Sequence, residues 1–234
     1  MVNICRFIVD LLCIKYVRLY RCVKLSASSL VKPSVSPLKS RRKPVQQRSV
    51  MTQAAIIDAF VRLLLEKSYE RLTMRDIALV AGVGLGTLYE YFPGKQSIAA
   101  HSIQQRFKLA GAQMQACIEA RRGLALVELV NAILDQMVAL HSQAVEEWSA
   151  LIFLERKISD PQAYQLLYQQ ILDVWQQAFL ASSDIGLYPG KQAAVVHAAV
   201  YGLLYQRLMI APQQVASVEF RQQLGELVLG YLQR

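Results

Sequence analysis

The segment TMRDIALVAGVGLGTLYEYFPGK, residues 73–95, carries the clearest structural signal in this chain. Thr73 is a good helix cap, because its hydroxyl accepts from an unpaired backbone N–H, and Asp76 opposes the helix dipole. Gly82 ends the first apolar run at a point where a left-handed residue is needed. A second short helix is predicted from about Leu85 to Phe92. Two short helices joined by a glycine turn make a helix-turn-helix.

A further helix, predicted over about residues 52–67, would brace this motif. Its apolar side chains recur at helical spacing and form one stripe: Ile56, Phe60, Leu63 and Leu64. In the second helix of the motif, Leu88 and Phe92 are four positions apart and are expected to point into the core. The other side chains of that helix are then free to face outward.

These residues resemble the N-terminal signature of the TetR family of one-component transcriptional regulators. The resemblance runs from Ile56 through Lys95 and covers about a fifth of the chain strongly. It combines AIIDAF at 55–60, Tyr69 with LT at 72–73, IA at 77–78 with AGV at 81–83, and GTLYEYF at 86–92. Gly84 departs from it, since the family often has a capping serine there. The resemblance implies an all-α, TetR-like fold with an N-terminal three-helix DNA-binding domain and a C-terminal helical domain for ligand binding and dimerisation.

The resemblance also implies which side chains meet DNA. In the family, the second helix of the motif enters the major groove, and a twofold dimer places two such helices on a near-palindromic operator. Carried over by position, four residues would hold phosphates: Thr73, Thr87, Tyr91 and Lys95. Four others would approach base edges: Arg75, Leu85, Gly86 and Tyr89. The predicted recognition helix has no Arg, Asn or Gln, so Arg75 is the candidate for bidentate contact with guanine.

Positive charge is concentrated at the N-terminus. Residues 1–50 hold 11 of the 26 Lys and Arg residues and a single acidic residue, Asp10. The basic character therefore belongs to an extension, predicted over residues 1–48, and not to the globular body. Residues 49–95 are predicted to form the DNA-binding domain, and residues 96–234 the effector-binding and dimerisation domain. Four basic residues of the extension are expected to reach phosphates or a minor groove: Arg41, Arg42, Lys43 and Arg48.

The sequence allows two interpretations of the first 25 residues. Six charged residues interrupt their apolar sequence, so neither a transmembrane helix nor a secretory signal is expected. One alternative is a basic amphipathic helix on a membrane surface. The other is that translation begins near Met51 and the segment is not part of the natural product. Residues 26–48 are rich in Ser, Pro, Lys and Arg, which is typical of a flexible linker.

The rest of the chain shows only helical patterns, predicted at about 96–120, 124–141, 145–157, 161–181, 191–210 and 218–233. These helices concentrate aromatic and related side chains: Met137, His141, Trp148, Phe153, Tyr164, Tyr168, Trp175, His197 and Tyr201. Each taken alone is more often core than pocket, but as a group they fit a cavity for an apolar or aromatic small molecule, as the resemblance implies. Glu146 and Glu147 would favour a cationic ligand, although adjacent carboxylates are usually a solvated helix face.

Small residues follow one another along the helix predicted at 191–210 and favour close helix approach. In the family, the last two helices form the dimer seam, so we expect the subunit interface at Ala194, Ala198, Ala199, Tyr201 and Gly202. The alternative is that this helix packs in the interior of one subunit and forms no interface.

Several classes of function are not supported by the sequence. Four cysteines without a CxxC and three scattered histidines give no metal-binding spacing. Neither a catalytic triad nor a phosphate loop is visible, so we expect no enzyme, no metal and no cofactor. The leading hypothesis is a cytoplasmic, homodimeric, ligand-responsive repressor that binds a double-stranded DNA operator and a small-molecule effector. The alternatives are a constitutive or activating regulator, and an interaction protein held at a membrane surface by residues 1–25, although no stable membrane association is expected.

Overall fold

The computed structural model describes residues 47–159, 161–184 and 189–233. Within these ranges the chain forms nine α-helices, two short 3-10 helices and no strand. The α-helices are α1 (Gln47–Glu66), α2 (Met74–Ala81), α3 (Leu85–Tyr91), α4 (Lys95–Ala120), α5 (Leu126–Ser142), α6 (Val145–Ile158), α7 (Pro161–Ala181), α8 (Pro189–Ile210) and α9 (Val218–Leu232). The all-α fold predicted from the sequence is confirmed.

The local signals of the helix-turn-helix are present in the structure. The Thr73 hydroxyl accepts from the backbone N–H of Asp76 at 3.1 Å, and the Asp76 carboxylate accepts from the backbone N–H of Thr73 at 3.1 Å. Gly82 ends α2 in the left-handed region, with φ of 66°. An L-residue with a side chain adopts that conformation only at a cost, so the glycine sets the angle between α2 and α3.

Helices α1 to α3 form a headpiece, defined here as residues 47–92, around one apolar core. Its fully buried side chains come from all three helices and the start of α4: Ile56, Phe60, Ile77, Leu88, Phe92 and Ile98. The stripe expected on the first helix and the inward positions expected on the third are therefore confirmed. Burying side chains of this size contributes about 1.5–3 kcal/mol each, and this burial holds the two short helices α2 and α3 against α1.

The first helix begins earlier than the sequence predicted. It starts at Gln47 and not near Thr52, so Arg48 lies in its first turn and not in a flexible arm. The Thr52 hydroxyl donates to the Arg48 carbonyl at 3.0 Å within this helix. The stretch after Pro44 holds no further proline or glycine before this helix, so nothing in it stops the helix from extending backward. Arg41, Arg42 and Lys43 lie outside the described residues, as does Asp160.

The remaining helices form a bundle, with α4 joining it to the headpiece. The 26-residue α4 packs on α5, α6 and α7, and α8 lies against α6, α7 and α9. Trp148 on α6 and Trp175 on α7 are fully buried in this bundle. Helix α6 also packs against α1, so the bundle touches the headpiece by a second route besides α4.

One helix in the described part of the chain, Gly190–Ile210, is long and apolar enough to cross a membrane by length and composition. Its buried face explains this character. Ala193, Val196, Val200 and Leu204 are buried against the neighbouring helices of the bundle. A core helix of a globular bundle meets the same two criteria as a membrane span.

Candidate functional site

Helix α3 presents an open outer face. Leu85 and Tyr89 are 37% and 42% exposed, whereas Leu88 between them is fully buried. Gly86 and Thr87 are also exposed, and a Cβ built on Gly86 would meet no atom within 4 Å. Four of the five residues of this helix expected to contact DNA therefore share a surface that no described residue covers. Seven residues with one buried side suit insertion of the other side into a DNA major groove.

The beginning of α2 adds two exposed side chains. Thr73 and Arg75 both lie at the solvent-facing start of this helix, and α2 packs directly on α3. Arg75 presents a planar guanidinium that matches the O6 and N7 edge of guanine. Arg75 and the outer face of α3 are thus both exposed in the headpiece, and their contacts with base edges stay a prediction.

Tyr91 is placed differently from the other expected DNA contacts. Its side chain is only 5% exposed, and its hydroxyl lies 3.0 Å from the Ser49 hydroxyl on α1. The ring forms part of the headpiece core because Tyr91 follows Leu88 by three positions and so lies on the same buried face of α3. Tyr91 therefore ties α3 to α1, and any phosphate contact would be made by its hydroxyl alone.

Lys95 has an internal role that the sequence did not predict. Its ammonium donates to three backbone carbonyls, those of Tyr69 at 2.8 Å, Leu72 at 3.0 Å and Glu70 at 3.2 Å. It also lies 4.7 Å from the centre of the Tyr69 ring. An ammonium has three donors, so all of them are satisfied by the loop before α2. The expected phosphate contact stays a prediction, and it would act through charge and not through a spare N–H.

The bundle contains a cleft of about 510 Å³ between α6, α7 and α8. We call it the tyrosine cleft. Four of the nine residues expected to line a pocket are found here: Tyr164, Tyr168, His197 and Tyr201. The other lining residues were not expected from the sequence to bind a ligand: Glu155, Arg156, Ser159, Pro161, Ala198 and Gly202. This volume suits a drug-sized or smaller ligand.

The five other expected pocket residues do not line the tyrosine cleft. Met137, His141, Trp148 and Trp175 are buried in the core of the bundle. There His141 stacks on Trp148 with ring centroids 4.2 Å apart, and its Nδ1 lies 2.7 Å from the Met137 carbonyl. Phe153 is 64% exposed and does not line the tyrosine cleft. Helical spacing shows which residues share a face, but not whether that face meets a cavity, the core or solvent.

The two carboxylates beside Trp148 do not serve the cleft either. Glu147 pairs with Arg106 on α4, and Glu146 is exposed. The carboxyl that does line the cleft is Glu155, which is 1% exposed and whose Oε2 has no hydrogen-bond partner. Burial raises the pKa of Glu155, and Arg156 and the Tyr201 hydroxyl partly oppose this shift. The burial of Glu155 was not predictable from the sequence, because Glu155 begins a charged run, Glu-Arg-Lys, that is typical of a solvated helix end.

Burial also controls protonation of the rings around the cleft. It lowers the pKa of His197 to about 4, so this imidazole is neutral at physiological pH. Burial and the neighbouring Glu155 raise the pKa of the Tyr201 hydroxyl, which therefore stays protonated. Tyr201 also packs against Tyr205, with ring centroids 4.0 Å apart and planes at 56°. The cleft is thus lined by neutral rings beside a carboxyl whose charge state is open to change.

The end of α6 connects the tyrosine cleft to the headpiece. Lys157 follows the cleft residues Glu155 and Arg156 and forms an ion pair with Glu70. Glu70 belongs to the loop whose carbonyls bind Lys95. A displacement of α6 at the cleft would therefore reach the segment that precedes α2.

The residues expected at the dimer seam divide into two groups. Ala198, Tyr201 and Gly202 line the tyrosine cleft, whereas Ala194 and Ala199 do not. Val195, Ala199 and Leu203 are partly exposed at four-residue intervals along α8. The seam on α8 stays a prediction, and this apolar row is the surface of α8 that suits it.

Among the described residues, no group of three or more His, Cys, Asp or Glu side chains is arranged to hold a metal ion.

The exposed second helix of the motif (α3), the glycine turn before it and the helices that support it define a helix-turn-helix DNA-binding protein.

Comparison with known proteins agrees with this class. Residues 56–101 match the family model described as bacterial regulatory proteins, tetR family. No curated protein matches the sequence. Among solved structures, the fold is similar to a TetR-family transcriptional regulator from Streptomyces coelicolor, with a TM-score of 0.57, 18% identity and coverage of 78% of this chain and 98% of that one.

Two more structures show the same fold. A TetR family transcription regulator from Marinobacter aquaeolei VT8 gives a TM-score of 0.62 at 14% identity, covering 79% of this chain and 96% of that one. The fatty acid degradation regulator FadR from Bacillus halodurans gives 0.61 at 15% identity, covering 82% and 99%. Residues 56–101 therefore match the DNA-binding region of TetR-family regulators, and the described chain has the fold of these TetR-family structures.

Proposed function

We propose that this chain is a ligand-responsive transcriptional repressor that binds a near-palindromic operator as a homodimer and leaves it when a small molecule with an apolar or aromatic part fills the tyrosine cleft. The observation that carries the proposal is the pairing of two surfaces in one chain. One is the uncovered outer face of α3, and the other is a cleft of about 510 Å³ whose wall reaches the headpiece. We propose the cytoplasm as its location, since its target is DNA.

Support for DNA binding comes from two kinds of exposed side chain in the headpiece. Thr73 and Thr87 are exposed and supply hydroxyls for phosphates, whereas Arg75, Leu85 and Tyr89 supply a guanidinium and apolar groups for base edges. Gly86 removes a side chain where the helix backbone would come closest to the groove. Because α3 has no Arg, Asn or Gln, sequence choice would rest on Arg75, on contacts with thymine methyl groups and on DNA shape.

Support on the effector side comes from the position of α6. One end of this helix lines the cleft, and the same helix packs on α1. A ligand that shifts α6 would therefore change the placement of the headpiece relative to the bundle. In a dimer, a small change in that placement alters the separation of two recognition helices, which must match successive major grooves.

The test begins with the DNA that flanks the coding gene. A duplex that contains an inverted repeat from this region is titrated with the full chain, with and without compounds selected for binding to the bundle. We expect tight binding to the repeat, weak binding to a scrambled duplex, and release by at least one bound compound. By linkage, operator DNA must lower the affinity of the protein for that compound by the same factor by which the compound lowers the affinity for the operator.

Two results separate the alternatives. Operator binding that no bound compound changes would favour a constitutive regulator. Stronger transcription from a reporter when the protein is present would identify an activator. The third alternative, a membrane-surface role for residues 1–25, concerns residues outside the described ranges and receives no support from the headpiece.

A further inference from the structure

Glu155 is the most unusual polar group in the bundle. Its side chain is 1% exposed, lines the tyrosine cleft, and leaves Oε2 without a hydrogen-bond partner. A buried carboxylate without a partner costs several kcal/mol, so proteins keep such a group only where something compensates it. Arg156, the next residue, is exposed and does not hydrogen-bond Oε2. The Tyr201 hydroxyl and the charge of Arg156 partly offset the cost of burying this carboxyl, but among the described residues no group hydrogen-bonds Oε2.

The rings that line the cleft beside Glu155 contact one another in pairs. Tyr164 and Tyr201 have centroids 6.5 Å apart and planes at 79°, and Tyr168 lies 4.9 Å from His197. Perpendicular tyrosines present both a ring face and a ring edge to the space beside them. The face of an aromatic ring carries negative electrostatic potential and attracts a cation within about 6 Å.

We propose that the tyrosine cleft binds a quaternary ammonium compound that carries an aromatic or apolar group, with the cation held by the faces of the cleft tyrosines and compensated by Glu155. The regulatory meaning of this ligand rests on the proposed function, whereas the ligand class itself rests on the cleft alone. The volume of about 510 Å³ leaves room for both parts of such a molecule.

A quaternary ammonium fits better than a primary amine because of the position of Oε2. This oxygen is buried, so an N–H donor would need the wall to open before it could form a hydrogen bond. A quaternary nitrogen has no N–H to satisfy. It interacts with ring faces by contact and with the buried carboxylate through space, across an interior where charge is poorly screened.

Binding of such a cation must be coupled to proton release. Burial raises the pKa of Glu155 in the free protein, and a positive charge nearby would lower it again. The cation therefore binds the ionised form better, and its affinity rises with pH until Glu155 is ionised without ligand. Burial lowers the pKa of His197 to about 4 and raises the pKa values of Tyr201 and Tyr205, so these three groups do not titrate between pH 6 and 8. Arg156 is the basic residue that lines the cleft.

The experiment compares two ligands of equal shape on the full chain by isothermal titration calorimetry. Phenyltrimethylammonium carries the charge, and tert-butylbenzene replaces its nitrogen by carbon. Titrations at pH 6 and pH 8, in buffers of different ionisation enthalpy, give the affinity and the number of protons released. The variant Glu155→Gln mimics the neutral carboxyl, and Glu146→Gln removes an exposed carboxylate from the same helix as the matched control.

We expect the wild type and Glu146→Gln to prefer the cation at pH 8 and to release up to one proton per cation bound at pH 6. Glu155→Gln should lose at least tenfold in cation affinity, keep its affinity for tert-butylbenzene, and show no proton release. If Glu155→Gln does not fold, Tyr164→Leu is measured in its place. It should weaken binding of the cation and leave binding of the neutral compound unchanged. Equal affinity for the two compounds, no binding of either, or an unchanged preference in Glu155→Gln would overturn the assignment.

A parallel titration with operator DNA separates this inference from the proposed function. If phenyltrimethylammonium binds as expected and operator affinity does not change, the ligand class stands and the proposed release mechanism is wrong. If decanoate or a neutral compound releases the operator while the cation does not bind, the proposed function stands and the ligand class is wrong.

Discussion

The ammonium of Lys95 closes the loop that leads into the helix-turn-helix. Three carbonyls from residues 69 to 72 converge on it, and the ring of Tyr69 covers it. This single side chain therefore joins the start of α4 to the segment before α2. The position of α2, and with it the position of Arg75, depends on this contact.

Replacing Lys95 by Met should destabilise the headpiece, because three carbonyls lose a charged donor. We expect a free energy of unfolding lower by about 2 kcal/mol, which corresponds to a melting temperature lower by roughly 4–8 °C. Lys108→Met, at an exposed position on α4, is the matched control and should change little. An unchanged melting temperature together with weaker DNA binding would mean that Lys95 serves phosphates and not the loop.

Arg75 should decide sequence preference at one base pair in each half-site. Arg75→Ala is expected to cost about 1–3 kcal/mol on the specific duplex and to relax the preference at that pair, while binding to a scrambled duplex changes little. Lys108→Ala, which removes the same charge outside the headpiece, is the control. Equal losses on both duplexes would show that Arg75 contacts phosphate only.

At the scale of elements, α6 is the part that touches both functional regions. Its end carries Glu155 and Arg156 into the tyrosine cleft and Lys157 onto Glu70 of the loop before α2. Its body packs on α1 and pairs with α4 through Glu147 and Arg106. A ligand signal would therefore have a route to the headpiece through α6 in addition to α4.

Breaking the ion pair of Lys157 and Glu70 should weaken the coupling between ligand and DNA without removing either binding activity. The pair is exposed, so we expect the coupling free energy to fall by at most about 1 kcal/mol, a factor of about five. Lys157→Met, Glu70→Gln and the double variant should give the same loss. The control is Glu119→Gln, which breaks an exposed pair with Arg122 that does not join bundle and headpiece. Unchanged coupling in all three variants would show that the signal does not pass through this ion pair.

The elements themselves were largely predictable from the sequence, because their signals are local. Thr73 with Asp76, Gly82 and Pro161 mark helix ends through contacts within a few residues. The site was less predictable, because Lys95 reaches carbonyls 23 to 26 positions away. In the same way, Phe153 and Trp148 share a helix yet one is exposed and the other buried. Which side of α6 faces solvent is set by the other helices.

For the molecule as a whole, the partly exposed apolar row on α8 is the surface we expect a second copy to cover. Ala199 belongs to this row and lies outside the tyrosine cleft, whereas Ala198 belongs to the cleft. Ala199 therefore tests the dimer without disturbing the ligand site. A charge buried there without a partner would cost about 3–5 kcal/mol.

Ala199→Glu should raise the dimer dissociation constant by at least about 100-fold, and operator affinity should fall with it. Sedimentation velocity measures the first effect, and ligand titration checks that the cleft is intact. Gln105→Glu, at an exposed position on α4, should leave the dimer unchanged. A stable dimer of Ala199→Glu would move the interface to another surface.

The central claim is that two copies of this headpiece read one near-palindromic DNA site. The most direct measurement is to sequence the duplexes that the full chain retains from a random pool. We predict an enriched inverted repeat whose half-sites lie about one helical turn, or a multiple of it, apart. Tyr89→Glu, which places a carboxylate on the exposed face of α3, should enrich no sequence. Retention of no preferred sequence by the wild type, or of a single half-site without its inverted copy, would contradict the account.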